Sequence, residues 1–456
     1  MKKFVYLVAP LLVAPFLASC GGNNTPTVVT HKVASVTEAH LSFTTESGDD
    51  LNGATFTEGK EFKFKVKAEN SYTLIPEGIG IYVGNSAMFP LLDGYTFTFT
   101  KDDKTEALIT IDGNRATDNM YIEGIAKQEG YYIYSVPVMG GVSLDGKAPI
   151  GYQEEGANLV LPFVGNEKEG GDTYEKPGED DFLICCNDDE FKLPTEMEAG
   201  IVTVSDGTLT IDSSKITSDY VLITARAHDS SEYLENLSWS EIKEISTNGL
   251  AKYIFNIGDE KSLKIGNNTY HVRIIDLNHD HNEQGAVAGL TFQFEEVISS
   301  PSKNAQLTMW NKNFTSAHFD GSSLNTALNS ALLGDLPKDL QKNIMEVQKY
   351  VGVYNSGWGL GHYNTKLFPL SHAEMSMNSS NYDVNGEGYI YQYYILPGHT
   401  RVAMDLNGTP TSYWLRTPRI NDTGLAWTIT EDGEFNAYEG AYVNEADQAV
   451  VPCFCI

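Results

Sequence analysis

The chain is poor in the features that mark a nucleic-acid binder or an enzyme. Basic residues are scarce: 31 Lys and Arg stand against 61 Asp and Glu in 456 residues, a formal net charge of −30. Such a surface repels polyanions and anionic headgroups, so no nucleic-acid partner is expected. Cysteine is nearly absent, with five in all, and no pair has the Cys-x-x-Cys spacing of a thiolate zinc site. Cys185 and Cys186 are adjacent, and Cys453 and Cys455 stand two apart, roughly 6–7 Å on a strand, so neither pair readily closes on itself. The four read as small buried hydrophobes, with a disulfide between the two pairs left open. No G-x-S-x-G, S-x-x-K or H-E-x-x-H occurs, which removes the motif-borne nucleophiles and zinc bases. "GWGLGHYN" (357–364) has no lysine of the phosphate-loop kind. Neither catalysis nor a cofactor is expected.

Long apolar runs are also missing, with one exception. Lys2 and Lys3 precede Phe4–Ala18, an apolar run of signal-peptide length that is too short to span a membrane as a mature helix. It closes in "LASC", the pattern cut before a lipid-modified cysteine. Residues 1–19 are therefore expected to be a lipoprotein signal peptide. Cys20 is expected to be the lipidation site, carrying a diacylglycerol and an N-acyl chain, the two chains that stable anchoring needs. Loss of two lysines and no acids would take the net charge from −30 to −32. The polar stretch 20–32 reads as a tether, and the expected location is the cell outer membrane.

What remains is a mostly β pattern with some α. Over 33–230, "LSFTTES", "EFKFKVKA", "YTFTFTKD", "ALITIDG", "YYIYSVPV", "GTLTIDSS" and "YVLITARA" alternate apolar and polar residues between Gly, Asn, Asp and Pro. That is the period of antiparallel strands with one face in water, and it predicts an N-terminal antiparallel β-sandwich. The acidic insert 165–181 reads as a solvated loop, and residues 231–250 as a linker with a short helical turn. From 251 to 456 the pattern is mixed α+β. "GNN" (266–268) marks a hairpin. "SSLNTALNSALLGDLPKDLQKNIMEVQKY" (322–350) places Leu324, Leu328, Ala331 and Leu332 on one helical face, with Gly334 ending a first helix and Asp335 capping a second. No internal repeat is visible.

Two resemblances follow from particular residues. "NTYHVRIID", Trp310, "LNTALNSALL", "LPKDLQKNI", "FPLSHAEM" and "YWLRTP" occur in the order seen in a family of unknown function at the C-terminus of bacterial surface proteins. Val451 stands where that family has an arginine. The family is similar to C-type-lectin-like proteins, which implies a small mixed sheet with one or two helices over roughly 252–456. "LSFTTE", "GYYIYSVPV" and "DDFLICC" resemble strands of the fimbrillins of type V pili. Those are exported lipoproteins built as β-sandwiches of transthyretin-like topology. No basic cleavage site is evident in the first domain, so the resemblance implies an accessory, tip or anchor subunit rather than a shaft subunit.

The expected function is a surface adhesin or fimbrial accessory subunit. Its partners would be the outer membrane through the lipid anchor, other pilins, or a host protein or glycan. The alternative is a carbohydrate-binding outer-membrane lipoprotein of a glycan uptake system. "DLNHDHNE" (276–283) matches three calcium-loop positions with Asp276, Asn278 and Asp280. His281 replaces the required glycine and Val287 the bidentate glutamate, so a structural polar loop is expected and no metal. In "YWLRTPRINDTGLAWTITEDGEF", Trp414 and Arg416 read as structural, the arginine paired with an acid or with carbonyls. "TEDGEF" reads as a closing Asp-Gly hairpin. Trp427, Tyr438 and Tyr442 are expected at the surface, and with Trp358 they form the candidate ligand-binding rim.

Overall fold

The structure is a computed structural model. It describes residues 28–456 except 85–89, 92–93, 169, 187–201, 213, 215, 299–306, 314, 317, 377–383, 385, 421 and 446–447, and it omits the side chains of 437–440. The expected signal segment and Cys20 lie outside the described residues.

Alternation does what it predicts. In "FKFKVKA", Phe64, Val66 and Ala68 are buried while Lys65 and Lys67 face water. This strand pairs antiparallel with "EALITI", placing Phe64 opposite Ile109 and Val66 opposite Ala107. Each such side chain taken from water contributes about 1.5–3 kcal/mol. One sheet holds β1 (Thr30–Ala39), β3 (Thr55–Thr57), β6 (Ile79–Val83) and β9 (Met120–Ile125) in the order β3-β1-β9-β6. The facing sheet holds β2 (Leu41–Thr45), β4 (Phe62–Ala68), β7 (Tyr95–Phe99) and β8 (Glu106–Ile111) in the order β2-β4-β8-β7. Between them lies one core, from Val33 to Ala126. A short ribbon, β5 (Tyr72–Thr73) with β10 (Lys127–Gln128), leads onward.

The stretch expected as a single sandwich holds two. The second is built from β11 (Tyr131–Gly140), β13 (Ile150–Glu154), β15 (Phe182–Cys186) and β18 (Tyr220–Arg226) in the order β13-β11-β18-β15. Against it lie β12 (Val142–Leu144), β14 (Leu159–Gly165), β16 (Val202–Ser205) and β17 (Thr208–Ile211) in the order β12-β14-β17-β16. The two orders are the same topology strand for strand. In each, the first strand crosses to the other sheet at a left-handed residue, His40 (φ 59) or Gly141 (φ 75). In each, that first strand also pairs parallel with the last, β1 with β9 and β11 with β18. Neither sandwich is thus purely antiparallel, and the chain does repeat, in topology rather than in residues. The described residues of the acidic insert 165–181 are mostly exposed, as expected of a solvated loop, with anchored points at Tyr174 and Asp181. Tyr174 is buried against Tyr233 at 5.5 Å, and buried Asp181 accepts from Gly178 N at 2.8 Å.

Residues 231–250, read as a linker, are mostly helical and bury one side in the core. α1 (Ser230–Asn236), α2 (Trp239–Thr247) and α3 (Ala251–Ile254) follow β18 directly. Ser238 and Glu241 form a capping box at the start of α2. Trp239 then packs edge-on against Phe292 at 5.6 Å and Phe454 at 5.8 Å. The core that starts at Tyr132 therefore runs without a break to Ile456.

Beyond the helices an antiparallel sheet is ordered β19-β20-β21-β29-β24, from β19 (Glu260–Ile265), β20 (Asn268–Leu277), β21 (Leu290–Phe294), β29 (Pro452–Cys455) and β24 (Phe368–Pro369). Gly266 (φ 61) makes the expected hairpin turn. The helical stretch is shorter than predicted. Ser322 caps α4 (Ser323–Thr326), which continues through π-helical Ala327–Leu332 into α5 (Leu333–Asp335), so Gly334 lies inside the helix. α6 (Lys338–Asn343) follows Pro337, and Asp335 is not its cap. From Val347 the chain is strand: β22 (Val347–Tyr354) and β23 (Trp358–Thr365) form a hairpin. A last sheet, β27-β26-β25-β28, comprises β25 (Tyr413–Pro418), β26 (Leu425–Ile429), β27 (Phe435–Tyr442) and β28 (Ala449–Val450). Gly433 (φ 81) turns β26 into β27 as the Asp-Gly hairpin. The fold is mostly β with some α. All four described cysteines are buried.

Candidate functional site

The C-terminal part opens a cavity of about 480 Å3 between the loop after β20, the outer face of β22–β23 and the segment 386–389. Its floor is ionic. Lys349 sits on the buried side of β22 and is 3% exposed. Its ammonium reaches Asp280 Oδ1 at 2.7 Å, Tyr391 Oη at 2.9 Å and Glu374 Oε1 at 2.6 Å, which uses all three of its N–H donors. Tyr391 donates its own hydroxyl proton to Asp280 Oδ2 at 2.8 Å, where Thr291 Oγ1 also donates at 2.7 Å. Glu374 is held from the other side by both terminal nitrogens of Arg416, a bidentate pair. Arg416 donates further to the carbonyls of Tyr350 and Pro369, each at 3.0 Å. Glu387 accepts from Gly352 N at 2.6 Å and from the Thr417 hydroxyl. Gly388 (φ 138) is needed here, because a Cβ on it would meet Glu374 Cγ at 2.7 Å.

The electrostatics follow from burial and pairing. Burial alone would push the Asp280 carboxyl up, but Lys349 and His279 outweigh it and hold Asp280 well below the usual range. Burial likewise opposes ionisation of Glu374, and Arg416 with Lys349 reverses that. For Lys349, burial pulls down while Asp280 and Glu374 raise it. Lys349 is therefore a fixed ammonium, not a neutral amine available as nucleophile or base. His279 forms the wall above, its ring 4.1 Å from that of Tyr391. Neither of its ring nitrogens has a hydrogen-bond partner within normal range; Asp280 Oδ2 lies 3.7 Å from Nδ1 and Asp276 Oδ2 4.0 Å from Nε2. Burial lowers the imidazole's affinity for a proton, and Asp280 more than restores it.

Tyr350, Leu360 and Tyr389 line the mouth, and an aromatic face extends from it along the hairpin. Tyr350, Tyr354, Trp358, Leu360 and His362 share the outer face of the β22–β23 hairpin, with Tyr350 opposite His362 and Tyr354 opposite Trp358. The Tyr354 and Trp358 rings lie 5.4 Å apart. Leu360 is 45% and Tyr389 85% exposed, and both line the cavity.

Of the sequence-derived rim, only Trp358 belongs to this face. Trp427 was expected at the surface but is 4% exposed, because β26 is buried on both sides and its ring stacks on His372 at 4.3 Å. Tyr442 is half-exposed at the end of β27 and is not among the residues that line the cavity. The side chain of Tyr438 lies outside the described residues. Trp414 and Arg416 are fully buried, the arginine on an acid and on carbonyls as its sequence context suggested. In the "DLNHDHNE" loop, Asp276 accepts from Gln392 N at 2.9 Å and Asp280 is committed to the floor. Glu374 lies in the "FPLSHAEM" segment of the family resemblance, whereas Lys349, Glu387 and Tyr391 carried no motif. Their only local signal was Lys349 on the buried phase of an alternating "VQKYVGVY" run.

A protein family described as "Domain of unknown function (DUF6273)" matches residues 294–456, less than half of the chain. That span contains Lys349, Glu374, Arg416 and the aromatic hairpin, and leaves out Asp280. No curated protein and no solved structure matches the chain.

Proposed function

We propose that this is an exported lipoprotein, anchored to the outer membrane through Cys20, that binds a ligand through its C-terminal domain. It would act as a surface adhesin or as an accessory or tip subunit of a fimbria. The observation that carries the binding role is the aromatic hairpin face leading into a 480 Å3 cavity. Rigid aromatic side chains lose little entropy on contact and dominate binding surfaces. The floor beneath supports recognition rather than proton transfer, since its ions are paired with one another and Lys349 stays charged. The tandem sandwiches agree with the sandwich build that the fimbrillin resemblance implies. Other pilins, or a host protein or glycan, would be the partners.

The second reading is a carbohydrate-binding lipoprotein of a glycan uptake system. The stripe itself favours it, because exposed aromatic faces stack on sugar rings. A glycan array with the mature protein tests both readings, and protease shaving of intact cells separates them. Binding that falls at least tenfold in Trp358→Ala with Tyr389→Ala, at unchanged melting temperature, is expected. A protein shaved from cells and co-fractionating with fimbriae supports the adhesin reading, and a protected monomer supports the uptake reading. Array binding that survives the double substitution overturns the assigned site.

A further inference from the structure

A second cavity, of about 750 Å3, lies where the first sandwich meets α2 and the loop after β20. Arg115 and Asn114 enter it from the turn after β8, Lys243 and Lys252 from the helices, and Asn278 and Asn282 from the loop. The chain as a whole carries about two acids for every base. This wall inverts that ratio: among the described residues its charged groups are three cations and no carboxylate.

Lys243 is the telling member. Burial pulls its ammonium's pKa down, and the only group that pulls it back is the Cys455 thiol, with no carboxylate acting on it. A partly buried cation without an acid is unfavourable unless a guest completes it. Lys252 is exposed beside it, its ammonium 4.7 Å from the centre of the Tyr253 ring. Arg115 donates to the Thr247 carbonyl, which fixes the sandwich to α2 and holds a third positive charge at the wall. Asn282 uses its side-chain oxygen on Gln284 N at 3.0 Å and Ala286 N at 2.9 Å, leaving its amide N–H groups for another partner.

We propose that this cleft binds an oxyanion group, a carboxylate or sulfate, either free or carried on a small polar molecule such as an acidic sugar. The lysines supply the charge and the asparagine amides the hydrogen bonds. The acidic remainder of the surface does not forbid this, because at physiological salt its field is screened within roughly 8 Å.

The test is titration calorimetry on the mature protein at fixed ionic strength, with sodium sulfate, glucuronate and neutral glucose as probes. Sulfate, glucuronate or both should bind and glucose should not. Affinity should fall about tenfold in Lys243→Ala and again in Lys252→Ala, while Lys243→Arg keeps it. Binding of glucuronate alone identifies a carried carboxylate, and equal binding of sulfate identifies the bare oxyanion. Sulfate stabilises proteins by exclusion as well, so unchanged affinity in the doubly substituted protein overturns the site. So does a wild type that binds neither anion. Trp358→Ala with Tyr389→Ala should leave this affinity unchanged, which separates the cleft from the aromatic cavity.

Discussion

At the scale of single residues, the floor of the aromatic cavity is the most demanding chemistry in the molecule. Three carboxylates and two cations lie almost wholly out of water there, and Asp280, Lys349, Glu374 and Arg416 form one chain of ion pairs. Removing one partner strands a charge, so Lys349→Met should destabilise the protein by about 3–5 kcal/mol in urea unfolding. Adding Asp280→Asn should cost less than the sum of the single changes, because both act on one pair. Asp280 and Glu374 have folded pKa values below their unfolded ones. Their contribution is therefore present above the ordinary carboxylate range and is lost as pH falls below it. Little of this was legible. Arg416 could be read as paired because it sits between strand residues in "YWLRTP". Nothing in the sequence links Lys349 to Asp280, 69 positions apart, since their contact exists only after β22 folds against the loop beyond β20. Trp427 was misjudged for a related reason: its strand is covered on both faces, and period-two alternation cannot reveal that.

At the scale of elements, α2 lies between the first sandwich and the larger core. One side carries Trp239, Ile242 and Ile245 into the core. The other presents Glu244 to the first sandwich, where Gly84 leaves room for its carboxylate. Glu244 Oε1 is buried without a hydrogen-bond partner. Burial, then the charges of Asp118 and Glu241, push this carboxyl up to about 7. A raised carboxyl favours the protonated fold, so its stability is fully present below about pH 4.5 and declines until about pH 7. Glu244→Gln should therefore stabilise the protein by about 2 kcal/mol at pH 8 and by less than about 1 kcal/mol at pH 5, read by chemical denaturation at both values. The helix itself could have been found: Ser238 and Glu241 spell the capping box that opens it. The hairpins at Gly266 and Gly433 were legible from their turn residues. The helix over 322–350 was overextended because "VQKYVGVY" carries apolar residues at both periods, and pairing with β23 decided for strand.

At the scale of the whole molecule, two cores matter more than three regions. The first sandwich closes around its own interior, most of the chain from Tyr132 onward shares a second, and only a small cluster of Ile75, Ile125 and Ile133 lies between the two. Calorimetry should therefore show two transitions. A fragment beginning at residue 127 should keep one of them. A fragment beginning at 251 should fail to fold, because it lacks the α2 side chains that Phe292 and Phe454 pack against. The mostly β character was plain from composition and alternation. The repeat was not, because topology is conserved by strand order and crossing points, while the residues that fill each core differ.

The position of β29 has a consequence for how the protein is made. The last strand fills an interior place in its sheet, between β21 and β24. The first sandwich can close as soon as its own strands have emerged during synthesis. The C-terminal sheet must wait with an open slot until residues 452–455 arrive. That delay leaves β21 and β24 without their common partner until β29 has been made, so the C-terminal sheet can close only at the end of synthesis.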